Sequence, residues 1–257
     1  MLALMARPDR PLGPDRIAVW RHPLVVRLTH WINALCVLML VMSGLQILRA
    51  HPHLYWGLSS TFADPWLSLG DIPGWLTIPS YRDLATGRNW HFLFAWVFVL
   101  NGLIYLAFAL LSGRLKRVLW PTRGELSGIG ASIREHARFH FPDDETARAY
   151  NVLQKLSYLL ILLVFLPLML FTGLGMSPGW NAAMPWMLEV VGGRQSARTL
   201  HFLAASGVVL FALVHVILVF AAGFRNLMGS MITGWFVIRA SPATEAEARE
   251  EPPHDPS

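Results

Sequence analysis

The sequence predicts an all-α membrane protein, a bundle of four transmembrane helices, and three observations lead to this prediction. Apolar residue types make up 54% of the 257 residues and charged types only 14%, whereas soluble domains carry about 25% charged residues. Four long runs contain almost no charge. Many of the 11 tryptophans lie near the ends of these runs, where an aromatic belt would meet the membrane surface.

Each run supplies roughly the 20 residues that a helix needs to cross the hydrocarbon core. A backbone in lipid must satisfy its own hydrogen bonds, and therefore helices are expected rather than irregular segments. The predicted spans cover residues 24–48, 90–112, 156–176 and 199–224. With their connections they form one predicted domain, residues 20–238.

The segments outside the spans have simpler expected forms. Residues 1–19 are predicted to be a polar N-terminal arm, and residues 128–140 a short surface helix between the second and third spans. Residues 225–238 have an apolar side, which predicts a segment lying at the membrane interface. Residues 239–257 are acidic and contain proline, which predicts a disordered tail.

The distribution of positive charge predicts the orientation of the spans. Residues 1–27, the connection between the second and third spans, and the stretch after the fourth span carry 16 Lys and Arg residues, against 5 in the other two loops. The positive-inside rule therefore places both termini in the cytoplasm. This orientation makes the loops after the first and third spans the outer loops, and no nucleic-acid partner is expected.

Four of the ten histidines lie inside predicted spans: His30, His91, His201 and His215. A polar ring in hydrocarbon costs free energy unless something binds it, so each is a candidate functional residue. His201 and His215 are 14 residues apart, which is close to four whole turns and a rise of about 21 Å. They therefore project from one helix face at two depths.

Each depth holds a second histidine from another span, His91 with His201 towards the outside and His30 with His215 towards the inside. Two imidazoles facing each other across a bundle can ligate one haem iron. The sequence therefore predicts two non-covalent b-type haems in the bundle core, because the single cysteine, Cys36, excludes a Cys-x-x-Cys-His attachment. The alternative is that each imidazole hydrogen-bonds a backbone carbonyl.

Arg27, Arg88 and Arg198 each precede one of these histidines by three residues. This spacing places a guanidinium one turn nearer the surface on the same side, where haem propionates would emerge. The alternative is that arginines simply flank the spans, which explains Arg88 and Arg198 less well because positive charge is disfavoured outside. Gly44, 14 residues after His30, would leave room for the macrocycle or serve helix packing.

The residues that carry these patterns resemble a known family. The stretch Arg27-Leu28-Thr29-His30-Trp31, followed by Ser43-Gly44, resembles the first span of the bacterial cytochrome b family, which includes the b-561 type and the membrane subunits of nickel–iron hydrogenases and thiosulfate reductases. Arg88-Asn89-Trp90-His91-Phe92 resembles its second span, and His201 with His215 its fourth. The resemblance covers residues 19–235. It implies two bis-histidine b haems ligated by these four histidines, and electron exchange with quinone.

The resemblance also implies a partner. Multi-subunit members work with a periplasmic catalytic subunit, and the loop at residues 51–57 is similar to that of thiosulfate-reductase-like members, which favours a molybdopterin oxidoreductase. The chain is thus expected to be an electron-transfer subunit in the bacterial inner membrane rather than a catalytic subunit. Two alternatives remain open: a stand-alone quinol-linked oxidoreductase, and a haem-free transporter or anchor with structural histidines.

Overall fold

The computed structural model describes residues 7–13, 15–138 and 150–239 of the chain. Within them, four helical segments are long and apolar enough to cross a membrane. These segments are α1 (Leu24–Ala50), α2 (Leu84–Leu111), a third span (Val152–Met176) and α9 (Arg194–Ala221). The predicted fold class, a mostly helical membrane protein with four spans, is confirmed.

Three spans begin earlier than predicted: α2 at Leu84, the third span at Val152 and α9 at Arg194. The Asp83 carboxylate caps α2, because it accepts the Thr86 N–H at 3.0 Å and the Thr86 hydroxyl at 2.7 Å. These bonds, led by the one from the Thr86 backbone, lower the pKa of Asp83. The polar first turn of α2 therefore belongs to the helix, although its composition is that of a loop. In the same way α9 begins at Arg194, before its first long apolar stretch.

The third span consists of two helices, α5 (Val152–Leu160) and α6 (Leu166–Met176), joined by a π-helical turn at Ile161–Phe165. Pro167 has no N–H group to bond the carbonyl one turn earlier, and the wider turn accommodates this loss. The Phe165 ring packs on α9 at Gly207, where an added Cβ would lie 2.7 Å from the ring. A glycine is therefore required at this contact.

Short elements fill the connections between the spans. They are a 3₁₀ turn (Gly74–Leu76), a π-helical turn (Leu115–Leu119), α3 (Arg123–Ser127), α4 (Ile129–Ala137), α7 (Pro178–Ala183), α8 (Trp186–Val190) and α10 (Phe224–Thr233). The surface helix predicted for residues 128–140 corresponds to α4. Residues 139 and 140 lie outside the described residues.

The N-terminal arm and the stretch after α10 contain strands that the sequence patterns did not predict. Strands β1 (Arg10–Gly13), β2 (Arg16–Trp20) and β5 (Trp235–Arg239) form an antiparallel sheet in the order β1-β2-β5. Its buried side is a small apolar cluster formed by Ile17, Val19, Phe236 and Ile238. The interfacial segment predicted for residues 225–238 is thus a helix followed by a strand, because the alternating apolar residues of β5 pack on β2. Residue 239 also belongs to this strand, and the rest of the predicted tail, 240–257, lies outside the described residues.

The chain divides into two compact units. The sheet unit comprises residues 1–30, 105–156 and 215–257, and it contains the three-stranded sheet. The loop unit comprises residues 31–104 and 157–214. It contains a small antiparallel ladder between β3 (His53–Leu54) and β4 (Leu67–Ser68).

An ion pair joins α3 to α5 within the sheet unit. Lys155 Nζ lies 2.6 Å from Glu125 Oε1, and the Lys155 side chain is only 7% exposed. Glu125 also accepts the Thr122 N–H at 2.7 Å in a capping box at the start of α3. The hydrogen bond from Lys155 is the main reason that the pKa of Glu125 is lowered.

Glu125→Gln is expected to destabilise the protein by about 2 kcal/mol at neutral pH, because the buried Lys155 loses its charged partner. Since the folded-state pKa of Glu125 lies below its ordinary value, the carboxylate stabilises fully above that ordinary value and less as the pH falls through the folded one. Thermal unfolding in detergent at neutral and acid pH measures this dependence. The difference in thermal stability between the variant and the wild type should become smaller in acid. A difference that stays constant would refute the role of the ion pair.

Candidate functional site

The sheet unit brings the rings of His30 of α1 and His215 of α9 close together. Their ring centroids are 6.1 Å apart and the ring planes are inclined by 68°. Both side chains are half-buried. The sequence-predicted pair is therefore brought together at a distance at which two rings can share one small ligand.

The loop unit contains the second pair, His91 of α2 and His201 of α9. Here the ring centroids are 6.2 Å apart and the planes are inclined by 62°. The two pairs thus have nearly the same geometry, although they lie in different units and α9 pairs with α1 in one and with α2 in the other.

Both distances fit a metal held between two imidazoles. A metal–nitrogen bond of about 2 Å on each side, plus roughly 1.2 Å from each nitrogen to its ring centre, gives about 6.4 Å for a linear arrangement. Edge-to-face packing of two rings gives distances in the same range. The tautomers of the histidines distinguish the two interpretations in the loop unit.

Hydroxyl groups fix the tautomers of His91 and His201. Ser43 Oγ donates to the Met39 carbonyl at 2.7 Å and lies 3.0 Å from His91 Nδ1. A hydroxyl has one proton, so Ser43 Oγ must accept from the histidine, and Nδ1 carries the hydrogen. The His91 ring also donates to the Leu40 carbonyl. The proton is therefore on Nδ1, and Nε2 keeps its lone pair.

Thr172 of α6 acts on His201 in the same way. Its Oγ1 donates to the Leu168 carbonyl at 2.7 Å and lies 3.0 Å from His201 Nδ1. The His201 ring also bonds the Met169 carbonyl. Metal-ligating histidines commonly donate their second N–H to such a partner, which fixes the ring orientation. In both histidines of this pair the lone pair of Nε2 is thus available to bind a metal.

A glycine follows each of these hydroxyl residues. A Cβ added to Gly44 would lie 3.5 Å from His91 Cε1, and one added to Gly173 would lie 3.3 Å from His201 Cε1. The contact at Gly173 is tighter than side chains ordinarily make, whereas the one at Gly44 is ordinary. Gly44 therefore lies beside the His91 ring, and its role in making room for a macrocycle stays a prediction.

The three predicted arginines have different surroundings. Arg27 donates to the Ile232 carbonyl, and Arg198 donates to the His51 carbonyl. Arg88 is exposed in the second turn of α2. A guanidinium has five N–H donors, so a single carbonyl leaves Arg27 and Arg198 with donors for a propionate. That role stays a prediction for all three.

Sequence reasoning missed Ser43, Thr172 and Gly173. Their signal was the repeated hydroxyl–glycine dipeptide, Ser43-Gly44 in the first span and Thr172-Gly173 in the third. Both hydroxyl residues are at most 1% exposed. A buried hydroxyl beside a glycine in a span indicates a second polar group from a neighbouring helix.

The described part of the chain contains no group of three or more His, Cys, Asp or Glu side chains that could hold a metal ion. In the loop unit, His53 Nδ1 bonds Ser68 Oγ at 2.8 Å across the β3–β4 ladder. The sites that remain are therefore the two imidazole pairs, which suit an iron whose other ligands come from a porphyrin.

Comparison with known proteins agrees with this geometry. Residues 21–234 match the family described as prokaryotic cytochrome b561. The chain is also 33% identical over 199 residues to a putative protein-methionine-sulfoxide reductase subunit, YedZ1, of Azospira oryzae, and the match covers 77% of this chain and 89% of the relative. From the family and the four apolar helices, the chain is a multi-pass protein of the bacterial inner membrane. It is a b-type haem electron-transfer subunit. By the match over most of its length, the chain belongs to the prokaryotic cytochrome b561 family.

Proposed function

We propose that this chain is a di-haem b-type cytochrome subunit that transfers electrons between the membrane quinone pool and a periplasmic oxidoreductase. The observation that carries the proposal is the pair of matched imidazole couples, with ring centroids 6.1 and 6.2 Å apart. One haem would be held by His30 and His215, the other by His91 and His201. Haem iron between two imidazoles supplies a one-electron carrier.

The remaining residues of the site position the ligands. Ser43 and Thr172 hold the rings of His91 and His201 in one tautomer, and their burial keeps water from competing for these hydrogen bonds. The other pair lies between α1 and α9. His201 and His215 lie on one continuous helix, α9.

The loop after α1 supports a partner on that side of the protein. Within the loop unit it is tied to the first turns of α9, since Thr199 Oγ1 donates to the Tyr55 carbonyl at 2.6 Å and Gly57 N–H donates to Ser196 Oγ at 2.8 Å. The loop exposes several large apolar side chains: Trp56, Leu58, Phe62, Trp66 and Trp75. Aromatic residues are enriched in protein interfaces. The loop therefore offers an apolar surface that is fixed to the first turns of α9, and one of its anchoring residues, Thr199, lies two residues before the proposed ligand His201.

The class of partner is inferred from resemblance. A relative is named as a subunit of a protein-methionine-sulfoxide reductase. With the similarity to thiosulfate-reductase-like members, this supports a molybdopterin-dependent oxidoreductase as the periplasmic subunit. A stand-alone quinol-linked oxidoreductase would need no such subunit, and a transporter or anchor would contain no haem.

Gentle affinity purification of the tagged chain from native membranes is expected to recover molybdenum in a near-equal ratio to the chain. The Trp75→Ala variant should lose the molybdenum and keep its haem, because Trp75 is 76% exposed in the loop. Trp120→Ala, which replaces a 57% exposed tryptophan outside this loop, is the matched control and should keep both.

A quinol analogue should reduce the haems of the purified protein in an anaerobic mixing experiment. Haem reduction by quinol without any molybdenum partner in native membranes would favour the stand-alone oxidoreductase. Failure of any quinol to reduce the haems would contradict the quinone role.

A further inference from the structure

His22, in the sheet unit, has a buried polar atom without a partner. The residue is 6% exposed, and among the residues that the structure describes its Nδ1 has no hydrogen-bond partner. His22 lies between β2 and α1, and its backbone N–H bonds the Gly234 carbonyl at 3.2 Å. An unsatisfied polar atom in such a position costs free energy, and native proteins rarely tolerate it without a ligand or a function.

Three arginines lie close enough to His22 for their charges to act on its imidazole, and we call the group of Arg21, His22, Arg27 and Arg114 the cationic nest. The guanidinium of Arg21 lies 4.5 Å from the centre of the Phe236 ring. Arg114 Nη2 donates a hydrogen bond to the Tyr150 hydroxyl at 3.5 Å. Neither Arg27 nor Arg114 forms an ion pair with a carboxylate in the described part of the chain.

The charges of the cationic nest favour an anion near His22. Burial, followed by the charges of Arg21, Arg114, His30 and Arg27, lowers the pKa of His22 to about 3. The imidazole is therefore neutral at physiological pH, and it lies among positive charges. A neutral imidazole still donates one hydrogen bond, and a nearby anion would offset the repulsion among the arginines.

We propose that the cationic nest binds a carboxylate of the haem held by His30 and His215, with His22 Nδ1–H as a hydrogen-bond donor and Arg114 as a counter-charge. This inference rests on the proposed two-haem function. Arg27 lies one turn before His30 on α1, and His22 is within electrostatic range of His30. A phospholipid phosphate fits less well, because His22 is almost fully buried.

The nest thus positions the cofactor through residues that the Arg-x-x-His spacing does not include. Positive charge next to a haem favours the ferrous over the ferric state, because the reduced haem carries one positive charge fewer. Removal of charge from the nest should therefore lower the reduction potential of that haem and of no other.

Spectroelectrochemical titration of the purified holoprotein tests the inference. Arg114→Gln is expected to lower the equilibrium constant for reduction of one haem by about tenfold, which is about 59 mV for a one-electron couple. The second haem should titrate as in wild type. Arg117→Gln, which removes the same charge three residues further along, is the matched control and should shift neither haem.

Two variants test the contribution of His22. His22→Asn keeps an N–H group near the position of Nδ1, whereas His22→Gln places its amide near the position of Nε2. His22→Gln should lower the same equilibrium constant by about threefold, and His22→Asn should restore most of it. If Arg114→Gln loses haem on purification, Arg114→Lys, which keeps the charge, is titrated in its place and should match wild type.

The other outcomes are distinguishable. A wild-type protein without two haems would overturn the proposed function itself. With two haems present, unchanged potentials in both Arg114→Gln and His22→Gln would overturn the inference and leave a lipid phosphate or no anion in the nest. The chain's own Asp143 and Asp144 lie outside the described residues. If Asp143→Asn with Asp144→Asn raised the potential as much as Arg114→Gln lowered it, those side chains would be the anion and the inference would be wrong.

Discussion

Replacing His201 with alanine is expected to lower the haem content from two per chain to about one, because the haem that His91 and His201 would hold loses one of its two imidazole ligands. His201 faces His91 in the loop unit, with ring centroids 6.2 Å apart. The haem held by His30 and His215 has no ligand from this pair and should remain. A reduced-minus-oxidised spectrum with haem quantified per chain measures the loss.

Two controls make the result specific. His51→Ala removes a histidine outside the spans and should leave both haems in place. Added imidazole should restore haem to the His201→Ala protein, because it can fill the space left by the side chain and supply the missing nitrogen. Survival of both haems in His201→Ala would refute the assignment of the pairs, and loss of both would show that the two sites are coupled in folding.

The second large effect is expected at the hydroxyl groups behind the histidines. Thr172→Val keeps the shape of the side chain but removes the acceptor for His201 Nδ1–H, which lies 3.0 Å away. Loss of such a supporting contact typically costs 10–100-fold in metal affinity, roughly the range expected here for haem. Ser43→Ala should act in the same way on His91, and the double variant should lose this haem most readily.

Transfer of haem to an excess of apomyoglobin measures the loss. The matched control is Ser206→Ala in α9, because Ser206 Oγ donates to the Phe202 carbonyl at 2.9 Å, one turn earlier, and is not bonded to a histidine. If Thr172→Val released haem no faster than Ser206→Ala, the hydroxyl would serve only helix packing.

Much of this arrangement was predictable because membrane helices leave few choices. Length and hydropathy located the four spans, and the helical period placed His201 and His215 on one face. The pairing of His30 with His215 followed from depth alone. The starts of α2 and α9 were not found, because hydropathy detects the lipid-facing part of a helix and not its polar first turn, where Asp83 provides the cap.

The contacts made by individual side chains were harder to predict from the sequence. The hydrogen bonds that the histidines donate to Ser43 and Thr172 depend on the rotation of neighbouring helices about their axes, which the sequence of one chain does not specify. The β1-β2-β5 sheet joins residues more than two hundred positions apart, and its strands are too short for their alternation to stand out. The burial of His22 was not predictable for the same reason, since its backbone N–H bonds the carbonyl of Gly234, the residue before β5.

The pairing of β2 with β5 also constrains how the chain can be threaded through the bilayer. Trp20 pairs with Trp235 in this ladder, and one strand precedes the first crossing while the other follows the last. Two strands can share backbone hydrogen bonds only in the same aqueous compartment, so the number of crossings between them must be even. An engineered loss or gain of a single span would place the partner strands on opposite faces and leave the edge of β2 without its neighbour.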